Sequence, residues 1–203
     1  MKNTEQILAD AMQSFAIEAE SLAATARAID PAAFRRAVEV LSAAPRIAAS
    51  GCGHTGIACR HFAHLMCCIE RPARFLSPAE ALHGGMGCLQ SGDVMLLASR
   101  GGRTDELLPI AEICRRRGIT VIAVTEDTTS PLAGLADTVL AIRVTRDCDP
   151  YNCQGTTSFA VTTAVFDALQ TAVLEYTDFQ NEAFAVIHPH GAVGKRLNRM
   201  NEQ

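Results

Sequence analysis

Five short apolar runs constrain this chain more than any other feature: RIAAS (46–50), ARFLS (73–77), DVMLLAS (93–99), ITVIAVT (119–125) and TVLAIRV (138–144). Between or after them lie stretches of helical composition at 55–69, 104–117 and 157–177, and a short helical turn opened by Ser130-Pro131. Strands that are apolar almost throughout need cover on both faces, and parallel neighbours need crossover connections. Helices supply both. The pattern predicts an α/β fold, a three-layer sandwich around a five-stranded parallel sheet. Residues 4–28 contain no Gly or Pro, and Asp30-Pro31 reads as an N-cap followed by Pro at the first helical position. Two helices are therefore expected before the first strand. The expected organisation is one domain over 1–203, with 1–44 as a helical arm and 46–198 as the sheet-containing core.

Composition narrows the function classes. Of 203 residues, 48% are hydrophobic and 20% charged, and the formal net charge is -4. No basic face for nucleic acid is indicated. The run Arg115–Arg117 before Gly118 fits a solvated helix end, where cations are favoured. No 18-residue stretch is both uncharged and wholly apolar, and MKNTEQILAD lacks the apolar segment of a secretory signal, so no membrane partner and a cytoplasmic location are expected. The cysteines at 52, 59, 67, 68, 88 and 114 sit in apolar or helical contexts and read as reduced, buried, small hydrophobes. No CxxC pair occurs, and a zinc site built from His61, His64 or Cys59 lacks a third ligand at a typical spacing, so no metal is expected.

In an open parallel sheet, ligands bind beyond the carboxyl ends of the strands. That rule selects GCGHTG (51–56), SRGGRT (99–104), TEDTTS (125–130) and TRDCDPYNCQGTTS (145–158). GCGHTG is only a partial dinucleotide signature. Its glycines have the GxGxxG spacing, but the second strand ends in Leu76-Ser77-Pro78 rather than an acidic residue. GxxxxGK[ST] is absent, and no cofactor is expected. SRGGRT reads better as an anion loop. Gly101 and Gly102 allow a close turn, Ser99 and Thr104 offer hydroxyls, Arg100 and Arg103 offer charge-assisted donors, and amides 103–105 are expected to open a helix. Thr125, Thr128, Thr129 and Ser130 at the next strand end, and Thr156, Thr157 and Ser158 after Gly155, add hydroxyls. The set favours a small phosphorylated ligand. The plainer alternative is a connecting turn with solvated arginines. Acid–base candidates at the same edge are His54, His83 with Glu80, Glu106, Asp147, Asp149, His188 and His190.

GCGHTGIACR, SPAEALHGGMG followed by SGDVMLLAS, SRGGRTDELL, TEDTTSPLAGLAD and FAVIHPHGAVGKRL, in this order, resemble the sugar isomerase (SIS) family, and most closely the isomerase domain of arabinose-5-phosphate isomerases. The similarity covers about 46–198, and the tail HPHGAVGKRL is its strongest marker. The resemblance implies an aldose–ketose isomerase that moves a carbonyl between C1 and C2 of a phosphorylated sugar through an enediolate. It also implies homodimers or homotetramers with residues shared between neighbouring active sites. Such isomerases often carry a pair of cystathionine-synthase-type domains after the tail, and with Gln203 as the last residue that regulatory pair is expected to be absent. The resemblance further implies catalytic roles for His54, Glu106, Asp147 and His188, and phosphosugar contacts from residues 99–104, Thr125, Thr128, Thr129, Ser130, Thr156, Thr157, Ser158 and His83. His54 stands where the family has lysine, Asp147 where it has glutamate, and the family loop SxSGES becomes SRGGRT here. Two alternatives stay open: a non-catalytic phosphosugar-binding or sensing protein on this fold, or another enzyme of the fold such as a lyase or epimerase.

Overall fold

The computed structural model describes residues 3–201. The element order is α1 (Thr4–Ala28), α2 (Pro31–Ala43), β1 (Ile47–Ser50), α3 (Gly53–Cys68), β2 (Ala73–Phe75), α4 (Pro78–Leu82), a 3-10 turn (Gly85–Cys88), β3 (Val94–Ala98), α5 (Leu108–Arg117), β4 (Thr120–Thr125), α6 (Pro131–Leu135), β5 (Thr138–Ala141), α7 (Thr156–Tyr176), α8 (Asn181–Ile187) and α9 (Gly191–Asn201). The five strands form one sheet in the order β2-β1-β3-β4-β5, and every pairing is parallel. The expected three-layer architecture is present.

Alternation along β3 divides the core. Val94, Leu96 and Ala98 join α2, α3 and α7 on one face, whereas Met95 and Leu97 join α4 and α5 on the other. Asp30 caps α2 through both carboxylate oxygens, and α2 then buries Ala33, Ala37, Val38 and Leu41. Phe62 of α3 and Phe166 of α7 are fully buried, with ring centroids 4.9 Å apart. α1 is stitched to the chain beyond β5: Thr25 Oγ1 accepts from the Arg143 amide at 2.8 Å and donates to its carbonyl at 3.0 Å.

Two expectations change. The helix expected from 104 starts at Leu108. Pro109 has no N–H to donate to the carbonyl of Asp105, so the helical ladder cannot extend a turn earlier. The chain instead turns over 104–107, closed by the Leu107 amide on the Thr104 carbonyl at 3.0 Å. Second, of the six cysteines expected to be buried, only Cys59 and Cys114 are, while Cys67 is exposed and Cys52, Cys68 and Cys88 are half-buried. The others sit on helix faces and turns that the sheet does not cover. Burial pushes the Cys59 thiol well up, and the Cys114 thiol up to about 12. The tail beyond 177, for which no element was expected, contains α8 and α9, which pack chiefly on each other. α7 is long and apolar enough to cross a membrane, but Val161, Val165, Phe166, Leu169 and Val173 lie in the core and the helix packs on α1, α2 and α3. Its apolarity is that of a core helix covered from several sides.

Candidate functional site

The strand order reverses between β1 and β3, and the crevice at their carboxyl ends is where this topology places ligands. Gly56 lets α3 approach this edge: a Cβ there would lie 2.6 Å from the Gly51 carbonyl oxygen. A cavity of about 440 Å³ opens at the edge, lined by Gly51, Cys52, Gly53, Gly56, Arg60, Phe75, Ser77, Leu82 and Glu106. Glu106 lies in the turn before α5 and is exposed. Its negative charge adds to burial in raising the Cys52 thiol across the cavity.

The expected anion loop, 99–104, is a turn rather than a helix start. Ser99 Oγ meets Thr104 Oγ1 at 2.8 Å and accepts from the Gly102 amide at 3.1 Å. The amides of Arg103, Thr104, Asp105 and Glu106 donate to no protein group among the described residues. Consecutive free amides beyond a left-handed residue form an anion-binding nest. That residue is Gly102, with φ 62°. A Cβ there would collide with Ser130 Oγ and lie 2.5 Å from Ser130 Cβ. Gly102→Ala is expected to cost about 2–4 kcal/mol, combining left-handed strain with overpacking. Chemical denaturation measures it, and a loss below about 1 kcal/mol would show that the loop relaxes freely.

The two arginines of this loop bind carboxylates of the neighbouring strand ends. Arg100 Nε donates to Glu126 Oε2 and its Nη1 to Asp147 Oδ2, both at 3.0 Å, and Arg103 Nη2 donates to Asp127 Oδ2 at 2.9 Å. The Glu126 amide on the Arg100 carbonyl (2.8 Å), Thr125 Oγ1 on the same carbonyl (3.0 Å) and the Leu132 amide on the Gly102 carbonyl (3.1 Å) complete the seam. Asp147, a catalytic candidate from sequence, is 1% exposed, and its Oδ1 has no partner among the described residues. Ser130 caps α6 through the Ala133 amide, and Thr129 bonds Asp127 through both its amide and its hydroxyl. Thr128 is exposed.

Most hydroxyls after β5 also serve the frame. Thr156 Oγ1 accepts from the Cys148 amide, Thr157 Oγ1 meets Cys148 Sγ at 3.2 Å, and Ser158 Oγ donates to the Gly155 carbonyl. Asp149 organises this loop. The Gln154 amide above all, then those of Cys153 and Tyr151, hold its carboxyl below the usual carboxylate range. A depressed folded-state value stabilises above the unfolded value and is lost as pH falls through the folded one. The amide shifts of Tyr151, Cys153 and Gln154 are therefore expected to hold from neutrality to about pH 4 and to move together below it. NMR titration checks this, and Asp149→Asn should remove the common transition.

No histidine among the described residues lines the cavity that Glu106 lines. His54 is exposed, 6.2 Å edge-on from the ring of Phe159, and lines a separate cavity of about 580 Å³ with Glu18, Leu22 and Thr156. His83 is exposed just after α4. His188 follows α8, its ring 5.1 Å from that of Phe184 and its Nδ1 buried without a partner among the described residues. His190 is exposed. Arg60, Glu126 and Asp127 were not singled out from sequence. Glu126 and Asp127 stand in TEDTTS, where an acidic pair opposite two arginines was a legible signal of pairing.

Residues 40–172 match the SIS domain. The arabinose 5-phosphate isomerase KdsD of Pseudomonas aeruginosa is 38% identical over 165 residues, 81% of this chain and 51% of that protein. KpsF of Escherichia coli, an arabinose 5-phosphate isomerase, is 31% identical over 94% of this chain and 61% of its own length. The chain thus spans about half to three-fifths of the curated relatives it matches. Among solved structures, a candidate sugar-phosphate isomerase from Listeria monocytogenes superposes with TM-score 0.90 at 35% identity, covering 94% of this chain and 100% of its own. An Escherichia coli CFT073 protein in complex with arabinose 5-phosphate gives 0.85 at 26%, covering 93% and 100%. Vibrio vulnificus NanR complexed with ManNAc-6P gives 0.78 at 25%, covering 90% and 70%. The match runs from the end of α2 into α7, across all five strands and every loop of the carboxyl edge, and on it the chain belongs to the SIS domain family.

Proposed function

We propose that this protein binds a small phosphorylated sugar at the carboxyl edge of the sheet and interconverts its aldose and ketose forms through an enediolate. The observation that carries the reading is the run of free amides at 103–106 beside Ser99 and Thr104, ending at a carboxylate that lines the adjoining cavity. The amides and hydroxyls anchor the phosphate, while Arg100 and Arg103 hold the loop shape from behind. The Glu106 carboxylate removes the proton from C2. The C–H electron pair becomes the C1–C2 double bond, and the carbonyl pair moves to O1. The proton on O2 passes to O1, the C2–O pair forms the new carbonyl, and return of the carbon-bound proton to C1 yields the ketose, with no external oxidant or reductant. His188 lies outside this cavity within one copy, and its assignment to ring opening or oxygen protonation requires a neighbouring copy to deliver it. His54 and Asp147 act on the setting of the site rather than on the reacting carbon.

The named relatives make arabinose 5-phosphate the first substrate to test. Incubation in D₂O followed by proton and phosphorus NMR should show the matching 2-ketose phosphate and deuterium at the exchanging carbon. Binding without turnover across a panel of pentose and hexose phosphates would favour a non-catalytic binding or sensing protein instead.

A homodimer or homotetramer belongs to this proposal. Leu8, Met12 and Phe15 are 62%, 58% and 69% exposed along one stripe of α1, an apolar face suited to a second copy. The eight unpaired cysteines support a reducing, cytoplasmic compartment.

A further inference from the structure

Isomerisation needs a positive group facing the oxygen on which charge develops, as well as a base. Around Glu106, most cations are already engaged. Arg100 is held by Glu126 and Asp147, and Arg103 by Asp127. His54 lines a different cavity, with α1 and α7. Arg60, on α3, lines the same cavity as Glu106. Its guanidinium carbon lies 4.1 Å over the centre of the Phe75 ring on the edge strand β2. Among the described residues it makes no ion pair or hydrogen bond. The contact holds the guanidinium carbon against the ring face and leaves its N–H groups free to donate. A sugar anchored by its phosphate in the 99–106 turn extends its carbonyl end away from that anchor, and this cavity adjoins the turn through Glu106.

We propose that Arg60 is the catalytic cation of the isomerase reaction set out above, donating to the enediolate oxygen while Glu106 moves the carbon-bound proton. The assignment rests on the isomerase reading. Arg60 stays protonated throughout: Glu106 holds the proton taken from C2 and returns it to C1, and Arg60 only bonds the oxygen that carries the negative charge in between.

The test compares wild type with Arg60→Met and Arg60→Lys, using the aldose phosphate that wild type turns over and the hydroxamate of the corresponding phosphorylated sugar acid as a mimic of the enediolate. Removing one such donor lowers kcat by about 10²–10³-fold. Arg60→Met should show that loss with substrate affinity kept within a few-fold, weaken the hydroxamate far more than the substrate, and retain the wild-type circular dichroism spectrum. Arg60→Lys should recover part of the rate, because a charge without the planar fork is an incomplete substitute. An Arg60→Met enzyme with near-wild-type kcat, or one that changes KM alone, overturns the role of Arg60 and leaves the isomerase reading standing. A wild-type protein that binds sugar phosphates without interconverting them overturns the isomerase reading, and this assignment with it.

Discussion

Glu106→Gln is expected to lower kcat by about 10²–10⁴-fold, the range that a positioned general base contributes, with sugar-phosphate affinity nearly unchanged. The amide keeps the shape of the side chain but cannot take a proton from carbon. Glu106 is exposed and makes no ion pair among the described residues, so the substitution should leave stability almost untouched. A second readout is built into the cavity. Burial first, and the Glu106 charge second, raise the Cys52 thiol above its ordinary value. Neutralising Glu106 should therefore lower that value and speed alkylation of Cys52 at a fixed, mildly alkaline pH. The two readouts separate location from role. Faster Cys52 labelling with unchanged deuterium exchange at the sugar carbon would place the charge at the cavity while removing Glu106 as the base.

The frame of this protein was legible because its signals are local and repeated. Apolar runs ending in Gly, Ser or Thr fixed the strands, Asp30-Pro31 marked the start of α2, and Gly118 its counterpart at the end of α5. Pairing order followed from the parallel rule only in part, since nothing in the runs themselves says that β1 lies between β2 and β3. At the site, residue types were readable and partners were not. Arg100 reads as a phosphate donor until Asp147, 47 residues away, is brought against it. Thr125 and Ser130 read as ligand hydroxyls until the Arg100 carbonyl and the Ala133 amide are seen to use them. The start of α5 was misplaced because composition alone extended the helix back to 104, whereas the missing N–H of Pro109 sets its beginning. Arg60 passed unnoticed because only the fold lays it on Phe75 and opens the cavity beside Glu106.

The Arg100–Asp147 pair carries the other large expected effect. Arg100→Met leaves a carboxylate that is 1% exposed with neither oxygen paired to a cation, and one of those oxygens already lacks a partner among the described residues. Breaking a buried pair from one side costs about 3–5 kcal/mol, mostly as the penalty of the charge left behind. The effect should therefore depend on Asp147 remaining charged. In the double variant Arg100→Met with Asp147→Asn, a neutral amide replaces the stranded carboxylate, and much of the loss should be recovered. Urea denaturation of the wild type, both single variants and the double variant gives the coupling directly. Phosphate affinity, measured by calorimetry on the same proteins, reports whether the seam also shapes the anion loop. If the seam acts as the distances indicate, affinity follows stability through the set, weakest in Arg100→Met and partly restored in the double variant. If Asp147 instead worked on the substrate, Asp147→Asn alone would cut kcat severely at nearly wild-type stability, and adding Arg100→Met would restore nothing. The two patterns differ in every member of the cycle, so the buried carboxylate after β5 is assigned either to the scaffold of the anion loop or to the chemistry by the same four proteins.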